Sequence, residues 1–339
     1  MSAPHVAVSA MHVAVSASRV AVLAICARDR HSARRGCGSS TVDALRHSGV
    51  LSRSAGGAKK PAMTPTSHHN SPWKRVASSV LAAVLLGGMT VGTATAAEDK
   101  TPATGGDRAP ESFVALSDVD PTILHEIRYV GHHNFVGRPI TGYEEPLCLL
   151  TEDAAHAVRD AQQAALSHGY TLKVYDCFRP QRSVDDFVRW AQQPGNDRMR
   201  DEFYPRIDKD RLFPEGYIAE QSGHSRGSTI DLTLVELPAQ PQRPYKPGEP
   251  LVECYAPQDQ RFPDNSVDMG TGFDCFDETA ATEYPGVPDE VRENRFLLRD
   301  IMADAGFGDY PVEWWHFTLE DEPYPDEYFD FPISRESLE

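Results

Sequence analysis

Residues 229–237, TIDLTLVEL, alternate side chains with a period of two, and this constrains the fold more than any other feature of the chain. Ile230, Leu232 and Leu234 face one way, and Thr229, Asp231 and Thr233 the other. The strand therefore needs an apolar layer on one side and sheet neighbours at its edges. Residues 171–177 alternate in the same sense, with Leu172 and Val174 against Lys173 and Tyr175. Helices are expected around them. At 151–168, Thr151 can cap, Glu152 and Asp153 suit the first turn, and Gly169 follows the end. Ala154, Val158, Ala161, Ala165 and Leu166 give that helix its apolar stripe. Residues 183–193 read as a second helix after Arg179-Pro180, and 288–305 as a third, opened by Pro288 and closed by Gly306. A short strand is expected at 315–319. Helices and strands interleave with no phosphate-binding glycine motif, so the fold class is α+β, in a single domain over 111–339.

Composition separates that domain from what precedes it. Residues 1–97 hold 11 Lys/Arg against 2 Asp/Glu, whereas 98–339 hold 22 against 48. So acidic a domain argues against nucleic acid as a partner, because phosphate binding needs clustered cations. Lys74-Arg75, the apolar run 76–91 and Ala94-Thr95-Ala96 are the three parts of a secretory signal. Residues 63–97, from Met63, are thus expected to be a cleaved signal peptide, with the product secreted or in the cell envelope and not stably inserted in a membrane. In 1–62 the hexapeptide HVAVSA at 5–10 recurs at 12–17, which reads as a low-complexity leader or an over-extended start. Residues 98–110 read as a polar linker.

Four cysteines, Cys148, Cys177, Cys254 and Cys275, follow the signal, and none forms a C-x-x-C pair. Export permits disulfides. A helix returning into an antiparallel strand brings Cys148 to Cys177, and Cys254 and Cys275 bracket part of the Pro/Gly-rich stretch 238–288. The expected bridges are 148–177 and 254–275, with free buried thiols as the alternative.

Two segments carry chemistry. His224 lies in a small-residue loop, SGHSRGS at 222–228, and Asp231 follows on the polar face of an otherwise apolar strand. A carboxylate buried there needs a partner, which a metal ion would supply. In Glu313-Trp314-Trp315-His316 an acid and an imidazole flank two tryptophans, whose apolar walls would raise the carboxyl toward the range of a general base. Glu313 is expected at a bend before the strand, since residues three apart on a straight strand face opposite ways. Two imidazoles, one carboxylate and a spare acid fit a catalytic zinc with an open position, one ion per chain. Each segment alone is weak, because a histidine in a Ser/Gly loop is more often just that. His132-His133 sits in a loop-like stretch and is the poorer ligand candidate. Ser222 and Ser225 lack a G-x-S-x-G elbow. Arg179 either points into a cleft or makes an ordinary surface ion pair.

These residues resemble the D-alanyl-D-alanine dipeptidases, the VanX-type zinc peptidases. The matching segments are HNFVG at 133–137 with Gly142-Tyr143, YDCFRP at 175–180, residues 222–234, MGTGFD at 269–274, EWWHF at 313–317, and DEPYP at 321–325 with YFDFP at 328–332. The resemblance covers about 112–333. It implies a compact α+β domain with a central antiparallel sheet flanked by helices and the zinc site on the sheet. By that resemblance His224, Asp231 and His316 hold zinc, Glu313 is the base and proton shuttle, and Arg179 stabilises the oxyanion. Asp274 would bind the ammonium of a small D-Ala-D-Ala substrate, and Ser222 and Tyr217 its carboxylate. Two positions depart from the family pattern, Phe178 before Arg-Pro and Gly223 before the histidine. The stretch 238–268 is longer than in the family and is expected to alter the entrance. The rival activities are a zinc D,D- or L,D-carboxypeptidase on peptidoglycan peptides and a non-catalytic wall-binding zinc fold; oligomeric state is not legible.

Overall fold

A computed structural model of the chain describes residues 103–339. The expectations for 1–62 and 63–97, and for the first residues of the 98–110 linker, fall outside the described residues. The strands are β1 (Thr104–Gly105), β2 (Phe113–Ala115), β3 (Leu124–His125), β4 (Leu149–Thr151), β5 (Tyr170–Asp176), β6 (Thr229–Glu236), β7 (Phe307–Tyr310), β8 (Glu313–Leu319) and β9 (Phe329–Asp330). The helices are α1 (Leu116–Val119), α2 (Glu152–Ser167), α3 (Gln181–Ala191), α4 (Arg200–Phe203) and α5 (Asp289–Asp304). None is long and apolar enough to cross a membrane.

The main sheet has the order β3-β5-β6-β8-β7. Its interior pairs are antiparallel, as expected, but β3 joins β5 in parallel, so the sheet is mixed. One face carries Leu172, Val174, Ile230, Leu232, Leu234 and Phe317, all buried. Helices α2 and α5 lie together beside it, α2 along β5 and α5 along β7. Ala154, Val158, Ala161 and Ala165 of α2 are buried as predicted, whereas Leu166, expected in the same stripe, is 41 % exposed. Thr151 caps α2 by accepting the Ala154 N–H at 3.4 Å. Helix α3 begins two residues earlier than predicted because Pro180 occupies its N-cap, where a missing N–H costs nothing.

The polar face is also buried, which the alternation did not foretell. The stretch 238–288 folds over it and supplies partners for its polar groups. Thr233 shares a 2.6 Å hydroxyl contact with Ser266. Lys173, only 3 % exposed, donates to Asp264, Asn265, Gln242 and Glu126. Both expected disulfides, Cys148–Cys177 and Cys254–Cys275, are formed. The end of the supposed linker is docked instead of free: β1 pairs in parallel with β9, and the Ala109 amide donates to the Ser337 carbonyl at 2.8 Å.

Candidate active site

The site grows from one rung of the sheet. Asp176 on β5 is in register with Asp231 on β6, which is in register with His316 on β8. Paired residues of adjacent strands share a face, so three polar side chains point the same way. Asp176 reaches that face through an irregularity after Val174 that leaves Tyr175 unpaired. A second irregularity sits between β7 and β8: Asp309 pairs with Phe317, and the next residue, Tyr310, pairs with Glu313. The extra residues of β8 bend the strand and let Glu313 and His316 share one side, with Glu313 Oε2 3.7 Å from His316 Nδ1. Glu313 therefore belongs to the strand, not to a bend before it, and the bulge does what the bend was expected to do.

His224 comes from a 3₁₀ turn, Gly223–Arg226, that ends at Gly227. Gly227 has φ +85, and a Cβ there would lie 2.3 Å from the Phe113 ring, so both backbone and packing demand glycine. The turn is capped by Ser222, whose hydroxyl accepts the His224 N–H at 3.3 Å. His224 Nδ1 donates to the Cys177 carbonyl at 2.7 Å, which fixes the tautomer and leaves the Nε2 lone pair facing inward. Nε2 lies 3.4 Å from Asp231 Oδ1 and 3.3 Å from His316 Nδ1, and His316 Nδ1 lies 3.1 Å from the same oxygen.

One ligating atom from each of His224, Asp231 and His316 falls within 4.8 Å of the others. Asp231 Oδ1 is buried at their centre with no hydrogen bond of good geometry. An orphaned carboxylate oxygen between two imidazole nitrogens is costly unless a cation sits among them. The donor set, two nitrogens and one oxygen with an outer hydrogen bond fixing one ring, suits a divalent transition metal and leaves a position open. Burial pushes Asp231 upward, but His224 and His316 outweigh it and hold the carboxyl below the usual range.

A cavity of about 190 Å³ opens beside this cluster, lined in part by Arg179, Tyr217, Ser222, Asp274 and Glu313. All eight residues singled out by sequence thus border one space, and Arg179 takes the cleft orientation of its two alternatives. Its guanidinium is clamped by Asp176, at 2.9 Å from Nε and 2.8 Å from Nη2, and lies 3.6 Å from Asp231. Burial raises Glu313 to about 8; His316 opposes this and Asp231 and Asp274 add to it. Burial likewise lifts Asp274 to about 8, with Asp231 adding and the Tyr129 hydroxyl, which donates to it at 2.8 Å, opposing. Tyr217 packs against Phe276 at the rim.

Sequence reasoning missed Asp176 and the tyrosines behind the site. Asp176 is fully buried, accepts from Tyr143 at 2.6 Å and from Arg179, and lies 3.6 Å from His224 Nδ1. Its signal was available: an acid ending an alternating strand, three residues before an arginine. His133 is not near the metal cluster. Arg128 donates to its Nδ1 at 3.1 Å, so its Nε2–H donates to Glu202 at 2.7 Å, and its ring stacks on Tyr245. No residue of 238–268 is among those lining the cavity.

Comparison with known proteins gives the family. Residues 110–240 and 262–334 match the Peptidase_M15 family, described as D-ala-D-ala dipeptidase. A D-alanyl-D-alanine dipeptidase of Enterococcus faecalis is 39% identical over 222 residues, 66% of this chain and 98% of the relative. One of Streptomyces coelicolor is 38% identical over 222 residues with the same coverage, and one of Escherichia coli 30% over 207 residues, 61% and 84% of the two chains.

Proposed function

Since the chain belongs to the D-Ala-D-Ala dipeptidase family of metallopeptidases, we propose that it hydrolyses D-alanyl-D-alanine with one zinc ion held by His224, Asp231 and His316, on the polar face of the sheet. The observation that carries this reading is the gathering of three ligating side chains around the orphaned Asp231 Oδ1, with the Glu313 carboxyl 3.7 Å from His316 beside them. When bound, the zinc supplies a water of lowered pKa and a Lewis acid for the scissile carbonyl.

The chain's own residues do the rest. Glu313, beside His316 at the cluster, takes a proton from the attacking water and returns it to the leaving amine. Arg179 donates to the oxyanion, and its clamp on Asp176 keeps it oriented before substrate arrives. Asp274 pairs with the substrate ammonium, which would draw its proton off. Tyr217 and Ser222 hold the carboxylate end. Two charge contacts at a fixed spacing favour a free dipeptide over a longer chain. The export-like segment 74–97 and the two disulfides support action outside the cytoplasm, on wall-derived dipeptide.

The test compares zinc-loaded enzyme on D-Ala-D-Ala and on a pentapeptide ending in D-Ala-D-Ala. Release of D-alanine mainly from the dipeptide is expected. Preference for the pentapeptide would replace the dipeptidase reading with a carboxypeptidase. Activity found wholly in the cytosol on fractionation would contradict the location.

A further inference from the structure

Residues 241–261 lie between the two segments that match the family. They border no part of the active cavity, yet they are tied to one of its walls. The Cys254 amide donates to the Glu202 carbonyl at 2.9 Å, at the start of the tie to α4, and the Gly272 amide donates to the Cys254 carbonyl at 2.8 Å. Cys254 is then bonded through sulfur to Cys275. Cys275 is the residue after Asp274.

Asp274 has φ 58, the left-handed region that a residue with a Cβ seldom occupies. Conformations of this kind persist when the surroundings over-determine them. Beside the Phe273 ring stacked on Tyr175, the Trp314 indole N–H donated to Thr271 and the Arg295 bonds to the Met269 carbonyl, the backbone ties next to the turn are identifiable. Before the turn, Gly272 is held by Cys254; after it, Cys275 is held by the disulfide, and the Phe276 amide donates to the Phe203 carbonyl at 2.8 Å. On the side-chain side there is the Tyr129 hydroxyl at 2.8 Å. Two of the three backbone restraints thus pass through Cys254, a residue outside the family match.

We infer that the Cys254–Cys275 disulfide is a positioning element for ammonium recognition, holding the left-handed turn that aims the Asp274 carboxylate into the cavity. This rests on the reading of Asp274 as the ammonium partner. The segment 241–261 then acts from behind the site: it presents Cys254, and through it sets how firmly the enzyme grips the free amino end. Cys254 and Cys275 do not touch substrate, and the zinc ligands and Glu313 lie on other elements. Opening the bridge should therefore weaken binding of the ammonium and leave the chemical step nearly intact.

The experiment measures zinc-loaded wild type, C254A/C275A and D274N by kcat and KM on D-Ala-D-Ala, and by inhibition with propionyl-D-alanine, the same skeleton without the amino group. For C254A/C275A the expected result is a KM raised about tenfold, kcat within about twofold, and unchanged inhibition by propionyl-D-alanine. D274N should lose the preference for the amino-bearing ligand altogether. If D274N loses that preference while C254A/C275A keeps wild-type KM, the disulfide is only a staple and the inference is overturned. If D274N keeps the preference, Asp274 is not the ammonium partner, and the inference falls with that reading. Should C254A/C275A not fold, wild type opened by a non-chelating phosphine, with the reduced bridge identified by alkylation and mass spectrometry, takes its place with the same readouts.

Discussion

Glu313 lines the cavity and Asp176 lies behind Arg179, so the two should fail differently when changed. Glu313→Gln keeps size and removes the proton acceptor, so kcat should fall about 10²- to 10⁴-fold, in the range typical of a lost general base. Zinc should stay bound at one per chain, since Glu313 is not among the three gathered ligands. Elemental analysis beside steady-state kinetics checks this, and an active variant would remove Glu313 from the chemistry. Asp176→Asn leaves Arg179 a neutral acceptor in place of a charged one. The guanidinium should then lose its fixed aim, with kcat/KM falling about tenfold to a hundredfold, somewhat less than the loss of an oxyanion donor itself. Unchanged kinetics in Asp176→Asn would show that Arg179 needs no clamp.

At the level of elements, the site depends on what α3 and the 238–288 stretch hold in place. Asp186 on α3 binds Arg138 at 2.8 and 3.0 Å and the Thr141 amide and hydroxyl at 3.1 and 2.9 Å, anchoring the segment that leads to Tyr143. Burial raises the Asp186 carboxyl, but Arg138 and Thr141 outweigh it and hold it at about 2. Its folded pKa is therefore below its unfolded one, near 3.8. The stabilisation is fully present above pH 3.8 and is lost as the pH falls through about 2. Because Arg138 is 36 % exposed, solvent screening trims the pair to about 1 kcal/mol. Asp186→Asn should be less stable than wild type by about that amount at pH 7. The gap should stay constant down to about pH 4 and narrow below it. Urea unfolding at a series of pH values reads this directly, and a gap independent of pH would rule out the ionised carboxylate as its source. Arg295 on α5 plays a similar anchoring part from the other side. Its buried guanidinium donates to the carbonyls of Met269, Thr279 and Ala281, which flank the Asp274 turn.

For the molecule as a whole, metal and fold are linked. Two strands and one turn contribute to a single cluster, so an ion bound there is bound by the folded chain alone. Zinc in excess over its dissociation constant by about 1,000-fold would add about 4 kcal/mol. Removing it with a chelator should lower Tm and abolish activity, and adding zinc back should restore both. Glu313→Gln should show the same zinc-dependent rise in Tm, whereas His224→Ala should show little. Equal Tm with and without zinc in wild type would mean that the cluster does not hold the ion.

Periodicity and chemical type were enough to locate α2, α5, β5 and β6, because both are local properties of a dozen residues at most. They also singled out His224, Asp231 and His316 as candidate ligands with Glu313 as the spare acid, but spacing across more than 80 residues did not bring the two segments together; the fold did. The Cys148–Cys177 pairing followed from which ends a helix and its returning strand bring together, and Cys254–Cys275 from the Pro/Gly-rich stretch that the two residues bracket. Four things were settled only in three dimensions: the strand register that lines up Asp176 with Asp231 and His316, the bulge that turns Glu313 toward His316, the burial of the sheet's polar face under 238–288, and the docking of 104–105 against β9. Each depends on contacts between residues far apart in the chain. Alternation states which residues share a face, but not which face of a neighbouring strand they meet or what covers them.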